Sequence, residues 1–340
     1  MTPLGWGVVG IGRIVLTRVA PAIIGDEECA LIAGVSRDLG RAQEFARTFG
    51  ARSAYDDYAE MLADPAVEAV FVATPNALHA DAVVAAAEAG KHVLCDKPMA
   101  TDVPGALRAV DACRSAGVRL GVNFHYRHMP WVRDLRRLVR DGAIGEVRAV
   151  HIEAGAGVSA PGDWRADPAL AGLGTVYSHG VHVLDLLRFA LDPAGPAEVT
   201  AMFDVEHVGA AVETQASVLL RLSNGALAHV TSNQTVPYPA NDLVVHGSEG
   251  SVVGRNLTRA RPGTLTVTTR DGERSTTYPD PDAHRRCVAA FTRSVLAGEE
   301  PDASGVDGLH SAVLCDAIAR SITERRRIPV PGPAEIPLLG

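Results

Sequence analysis

Through about residue 120 the chain alternates short apolar runs with stretches whose apolar positions recur at helical spacing. The runs Gly5–Val9, Cys29–Val35, Ala69–Ala73, His92–Cys95 and Arg119–Val122 read as strands. Between them, Asp81–Ala89 and Pro104–Ser115 place Ala, Leu and Val at helical spacing. Strand–helix alternation at this spacing predicts a doubly wound parallel sheet with helices on both faces. The pattern changes past residue 125. A basic amphipathic helix near Met129–Asp141 leads into the turn Gly142-Ala143-Ile144-Gly145, followed by strand-favouring runs at Val147–Ala154, Glu198–Glu206, Thr214–Leu222, Leu227–Gln234, Asp242–Gly247 and Thr264–Thr269. Turn signals such as Ser223-Asn224-Gly225 and Asp271-Gly272 separate some of them, which predicts a large, mostly antiparallel open sheet. Two helices, Asp282–Ala297 and Val306–Arg325, precede a Pro-rich tail. The expected architecture is α/β over residues 1–123 and α+β over 124–340, with the last helices able to pack back on the first domain.

The length of 340 residues supports two domains, since single cores stop growing at roughly 250–300. A hydrophobic content of 47% with 21% charged residues excludes a disordered chain, a collagen and a disulfide miniprotein. The net charge of −8, with no basic block beyond Arg325-Arg326-Arg327, argues against nucleic acid as a partner. No apolar run reaches the roughly 18 residues of a membrane span. The strand at Trp6–Val9 leaves no room for a signal peptide, so a cytoplasmic location is expected. Cys29, Cys95, Cys113, Cys287 and Cys315 are odd in number and lack CxxC spacing, which suits buried free thiols better than zinc or disulfides. Only Lys91 and Lys97 are lysines among 32 Lys and Arg residues. A retained Lys hints that an ammonium of adjustable pKa is wanted there.

Candidate chemistry begins at Val8-Val9-Gly10-Ile11-Gly12-Arg13-Ile14-Val15, which follows a strand and opens a helix. Gly10 and Gly12 suit a tight turn and the approach of a pyrophosphate to backbone amides at a helix N-terminus. Val15 stands where a third small residue usually lets helix and strand pack closely, so a slightly wider spacing is expected. After the second strand, where Asp or Glu normally meets a ribose 2′-hydroxyl, stand Ser36-Arg37, with Arg41 a turn later. Guanidiniums there suit a 2′-phosphate, so NADP(H) is favoured over NAD(H). Asp38 follows directly and leaves an alternative register open.

Three further segments are distinctive: Thr74-Pro75-Asn76-Ala77-Leu78-His79, Asp96-Lys97-Pro98, and Trp164-Arg165 followed by Gly180-Val181-His182-Val183-Leu184-Asp185. In this order and spacing, with the glycine loop, the chain resembles the glucose–fructose oxidoreductase / inositol dehydrogenase / MocA family of NAD(P)-dependent oxidoreductases, from Gly5 to about Pro331. The resemblance implies a Rossmann domain and a C-terminal sheet that often mediates homodimers or homotetramers. It also implies hydride transfer between a nicotinamide and a carbinol or keto carbon, commonly of a sugar or cyclitol. By position, Gly10, Gly12, Arg13, Ile14, Ser36, Arg37 and Arg41 would hold the cofactor's phosphates and ribose. Thr74, Pro75, Asn76 and His79 would lie near its middle, and Asp96 and Lys97 at the nicotinamide end. Asn123, Trp164 and Arg165 match further contacts.

The chemistry requires such groups. Oxidising a carbinol needs a base, and reducing a ketone needs an acid and positive charge near the developing alkoxide. Lys97 and His182 supply them, with Ser178 as an orienting partner. If Ser178–Leu191 is one helix, Ser178, His182 and Asp185 share a face. Tyr126, Arg127, Trp164 and His179 join Lys97 and His182 as candidate substrate contacts, and Asp185 reads as structural. His125 and His128 are spaced like a metal pair but read as surface and cleft residues, and no metal is expected.

The sequence departs from the family in three places. Ser178 stands where the family often has Asp, which leaves His182 less basic and suits ketone reduction. Asp96 replaces the commoner Glu, and His284 stands where relatives often carry a Tyr seven residues before a Phe, here Phe291. The alternatives are a reductase of nucleotide-linked keto-sugars, a trans-dihydrodiol dehydrogenase, or a non-catalytic dinucleotide sensor.

Overall fold

The structure is a computed structural model that describes residues 2–155, 163–204, 211–237, 239–256, 262–279, 282–332 and 335–336. The chain forms two compact units, one of Met1–His125 with Asp282–Ala312, the other of Tyr126–Pro281 with Val313–Pro337. The sequence places its boundary at 123/124. The first unit here also takes in a C-terminal helix, because that helix supplies part of the first core.

In the first unit, six parallel strands run β1 (Leu4–Val9), β2 (Cys29–Val35), β3 (Ser53–Tyr55), β4 (Ala69–Val72), β5 (His92–Cys95) and β6 (Leu120–Val122). Their order across the sheet, β3-β2-β1-β4-β5-β6, reverses direction between β1 and β4. Ligands of open α/β sheets bind at such a reversal, outside the carboxyl ends of the strands. The connecting helices are α1 (Ala20–Ile24), α2 (Leu39–Phe49), α3 (Tyr58–Ala63), α4 (His79–Glu88) and α5 (Val103–Ser115). Asp38, Asp57 and Asp102 each cap a helix by accepting a backbone N–H, which fixes where α2, α3 and α5 begin. A late helix, Ala283–Ala297, belongs to this core: Phe291 packs on fully buried Trp6 with ring centroids 5.5 Å apart.

The second unit contains α6 (Pro130–Arg140), α7 (Pro168–Ala171) and α8 (Val181–Ala190) beside nine strands. These are β7 (Val147–Gly155), β8 (Pro196–Asp204), β9 (Gln215–Leu222), β10 (Leu227–Asn233), β11 (Leu243–Gly247), β12 (Gly250–Arg255), β13 (Gly263–Thr269), β14 (Gly272–Tyr278) and β15 (Ile328–Pro329). They are ordered β14-β13-β12-β11-β7-β10-β9-β8-β15. The helices α9 (Ala283–Ala297) and α10 (Gly305–Glu324) follow, the unit boundary falling within α10.

The sheet is large and mostly antiparallel, as expected, with a parallel pair within it. β7 and β10 pair in parallel, His229 opposite His151, because no tight turn joins them and a long excursion separates them. Four strands lie outside the runs picked out from the sequence: β3, β12, β14 and β15. β14, Gly-Glu-Arg-Ser-Thr-Thr-Tyr, is an edge strand exposed except for Tyr278 and carries no apolar alternation. The expected strand end at Glu206 lies outside the described residues. Alternation along β9 and β10 buries Val218, Leu220, Ala228 and Val230 and leaves Leu219, Leu227 and His229 on the other face. Among the described residues no helix is long and apolar enough to cross a membrane, and no group of three or more His, Cys, Asp or Glu is placed to hold a metal ion.

Candidate active site

The candidate site is built separately in each unit. In the first, the candidate residues lie on five of the segments that leave the carboxyl edge of the six-stranded parallel sheet. The glycine loop follows β1. Gly10 has φ +89°, and a Cβ there would lie 2.4 Å from the Ala73 carbonyl oxygen, so a side chain would push the loop off β4. Gly12 has nothing within 4 Å of where its Cβ would stand. That open space above the start of a helix is the cradle a pyrophosphate needs. Arg13 is exposed and Ile14 half-buried. Buried Val15 opens a π-helical turn, Val15–Val19, before α1, so the helix is locally widened at the position where a small residue is usual.

At the end of β2, Ser36 is half-buried and Arg37 exposed. The Asp38 carboxylate is already used, accepting the Arg41 backbone N–H at 3.2 Å as the cap of α2. Arg41 turns its guanidinium to the Ile11 carbonyl at 2.5 Å and so braces the glycine loop.

Beyond β4, Thr74 and Pro75 are half-buried and Asn76 buried. The buried Thr74 Oγ1 has no hydrogen-bond partner among the described residues. An orphaned hydroxyl beside an open glycine cradle fits a dinucleotide cofactor, which would supply both the partner and the filling. His79 is 1% exposed, with Nδ1 2.6 Å from the Pro98 carbonyl and Nε2 2.8 Å from the Thr74 carbonyl. Burial, the largest effect, pushes its pKa down, with Lys97 acting the same way and the two carbonyls and Asp96 opposing. The structure therefore places His79 beneath these loops as a strut.

Asp96 and Lys97 follow β5, and the Lys97–Pro98 bond is cis. Asn123, 1% exposed at the end of β6, donates its amide to Asp96 Oδ1 at 3.0 Å. His125 stacks on His284 with ring centroids 3.8 Å apart. Burial, with Arg18 and Lys97 nearby, drives the His284 pKa to about 4 despite Asp96 and Asp282, so this ring is neutral near pH 7.

In the second unit, the segment expected as one helix from Ser178 to Leu191 has two parts. Val176–Gly180 forms a π-helical turn carrying Ser178 and His179, and α8 carries His182 and Asp185. Tyr126 stacks on the His182 ring at 4.7 Å between centroids. Its neighbour Arg127, expected as a substrate contact, lies in the interior. Its guanidinium donates from Nε to Asp185 Oδ2 at 2.8 Å and from Nη2 to Oδ1 at 2.5 Å, with side chains 3% and 1% exposed. Arg165 lies over the Trp164 ring at 4.4 Å and pairs with Asp163 at 3.1 Å.

Glu213 has no distinguishing sequence signal, yet it seals the start of this helix. Its carboxylate accepts the Val176 N–H at 3.1 Å, and its carbonyl accepts the Thr175 N–H at 2.9 Å. Burial raises its pKa, while the backbone N–H groups of Gly174, Val176 and Glu213 itself hold it down. Half-buried Arg188 is another residue the sequence did not single out. Burial lowers its pKa, Arg127 and Arg136 add to that, and Asp185 and Asp192 oppose it.

Comparison with known proteins gives this arrangement a family. Residues 4–124 match the family model described as an oxidoreductase family with an NAD-binding Rossmann fold, and residues 132–253 match the GFO/IDH/MocA C-terminal domain. The 1,5-anhydro-D-fructose reductase of Ensifer adhaerens is 32% identical over 93% of this chain and 95% of its own length. D-xylose 1-dehydrogenase (NADP(+)) 2 of Haloferax volcanii is 33% identical over 93% and 96%. The crystal structure of an aldose-aldose oxidoreductase from Caulobacter crescentus, complexed with glycerol, superposes with a TM-score of 0.88 at 28% identity, covering 96% of this chain and 99% of that one. With both family models and full-length relatives in agreement, the chain belongs to the Gfo/Idh/MocA family of NAD(P)-dependent oxidoreductases.

Proposed function

We propose that this enzyme transfers hydride between NADP(H), in preference to NAD(H), and a carbinol or keto carbon of a sugar, sugar derivative or cyclitol. The cofactor preference is carried by the fate of Asp38. The carboxylate nearest the end of β2 caps α2, which leaves Ser36 and the exposed Arg37 to meet the ribose, a pair suited to a 2′-phosphate. Arg41 then acts on the cofactor through the Ile11 carbonyl it braces. Gly10, Gly12, Arg13 and Ile14 would hold the pyrophosphate, and Thr74, Pro75, Asn76, Asp96 and Asn123 the remainder. The bound nicotinamide supplies the hydride chemistry.

Lys97 donates to the substrate oxygen and stabilises the alkoxide as it forms. His182 exchanges the proton, its ring held face-on by Tyr126. Ser178 can orient His182 but lends it no negative charge, so the imidazole stays a ready proton donor and reduction is favoured. Trp164, Arg165 and His179 complete the polar contacts. The names of the relatives support a sugar-like substrate, and one of them carries NADP(+) in its name. Self-association is proposed through the outward face of the large sheet, where Met202, Leu219 and Leu227 are 76%, 53% and 56% exposed. Five free cysteines support a reducing, cytoplasmic location.

Fluorescence titration with NADPH and NADH, followed by a screen of sugars and keto-sugars, tests the reading. NADPH binding tighter by about tenfold, some 1.4 kcal/mol, is expected. Tighter NADH would overturn the cofactor choice, and binding of neither would overturn the function.

A further inference from the structure

Among the groups at the carboxyl edge of the parallel sheet, His79 stands apart because both of its ring nitrogens face backbone carbonyls on two different loops. We propose that His79 is a positioning residue for the reaction, and that it acts by donating Nδ1–H to the Pro98 carbonyl, which fixes Lys97 one residue away. This rests on the reading of Lys97 as the group that handles the substrate proton.

The two carbonyls are not equivalent. Thr74 lies five residues before His79, and the stretch between them is already closed by its own turn, Leu78 N–H donating to the Pro75 carbonyl at 2.9 Å. With the hydrogen on Nδ1, Nε2 at 2.8 Å makes no bond to the Thr74 carbonyl, whose turn is set without it. Pro98 lies 19 residues away, beyond α4 and β5. It has no N–H, so its carbonyl is its one backbone hydrogen-bonding group, and that oxygen sits 2.6 Å from Nδ1. His79 thus reaches from the first residue of α4 into the loop after the neighbouring parallel strand and ties Lys97-Pro98 to the end of β4.

A ring 1% exposed and filling the space between two loops has little freedom to re-aim, so the position of the Pro98 carbonyl is set by the ring. The inference needs only that Nδ1 carries a hydrogen. A small misplacement of an acid–base group is felt in turnover, while cofactor binding rests on the glycine loop and Thr74–Asn76.

Asn and Gln separate the two ring positions, since the Asn amide nitrogen stands close to where Nδ1 stands and the Gln amide nitrogen close to Nε2. His79→Leu is expected to lower kcat by about a hundredfold with NADPH affinity held within a few fold. His79→Asn should recover most of that loss and His79→Gln little of it. Recovery by Gln but not Asn, by both or by neither, an unchanged Leu variant, or a parallel loss of cofactor binding and kcat would each overturn the proposal. Should the variants fail to fold, the ring nitrogens of the wild-type protein can be read by 15N NMR, where a hydrogen on Nδ1 is expected and a bare Nδ1 refutes the proposal. Lys97→Ala measured alongside separates the two levels. If it retains full turnover, the role of Lys97 fails; if it is inactive, the His79 series is decisive on its own.

Discussion

Removing Asp185 should cost far more than an ordinary point substitution, and the arrangement around it says how much. Asp185 and Arg127 form a two-point ion pair with side chains 1% and 3% exposed. Asp185 also bears on the half-buried Arg188, and the Phe189 ring next along the helix is approached by Arg127, Arg133 and Arg136 at 5.0, 5.0 and 4.2 Å. Asp185→Ala therefore leaves Arg127 buried, charged and without its carboxylate, among guanidiniums that repel it. A guanidinium does not escape by losing its proton. Breaking one side of such a pair costs about 3–5 kcal/mol. For a unit of this size that corresponds to roughly 10 °C in Tm.

The double variant Arg127→Met/Asp185→Leu should regain a large part of the loss, because apolar replacement of both partners is commonly neutral. Urea unfolding followed by circular dichroism, with midpoints compared at equal slope, measures all four corners of the cycle. Single variants that each lose less than about 1 kcal/mol, or a double variant losing the sum of the singles, would refute the reasoning. Activity should fall too, since this pair ties α8 to the turn that lays Tyr126 on His182.

His284, with its pKa pushed down to about 4, makes the fold sensitive to acid. The unfolded chain takes up this proton near pH 6.5 and the folded chain only near 4, so stability falls as pH drops through that window, by about 3 kcal/mol in total. His79 shifts in the same direction, so the measurement is the pH-dependent difference in urea midpoint between wild type and His284→Asn; parallel profiles would disprove the assignment. Arg37→Ala should weaken NADPH by about tenfold and NADH little, because one charge-assisted hydrogen bond is at stake; equal losses would mean that the 2′-phosphate is read elsewhere. Ser178→Asp should move the His182-controlled limb of the pH–rate profile up by about one unit, since a nearby carboxylate favours the imidazolium. An unmoved limb would separate Ser178 from His182.

The fold of the first unit was legible because each buried strand is an apolar run ending in its own turn chemistry, and consecutive strands lie near one another. In the second unit legibility stops where pairing is not local. The parallel contact of β7 with β10 joins segments that no turn connects, and β14 is an edge strand that buries only Tyr278. At the site, the types of the side chains were readable, but their partners were not. Arg127 sits in a polar stretch beside Tyr126 and reads as facing a substrate, until the fold brings it to Asp185, 58 residues on. Glu213 looks like an ordinary polar residue before a strand, and only the tertiary structure shows it closing the start of the segment that carries Ser178 and His182. Asp38 read as a rival ribose ligand because a helix cap and a ribose contact need the same carboxylate at nearly the same place.

The π-helical turn at Val176–Gly180 is the place where this segment carries one residue more than an α-helix of the same span needs. Its start is anchored by Glu213, and α8 downstream is locked to Arg127, so this wide turn takes up the slack between two fixed ends. Deleting one residue within it would tighten the turn to α geometry, in which the remaining residues at about 100° each span nearly the same total rotation, so α8 would keep its facing. His182 and Asp185 would then stay in their present surroundings, with Asp185 still paired to Arg127. A single-residue deletion here is therefore a milder change than one within α8, where everything beyond would rotate by about 100°.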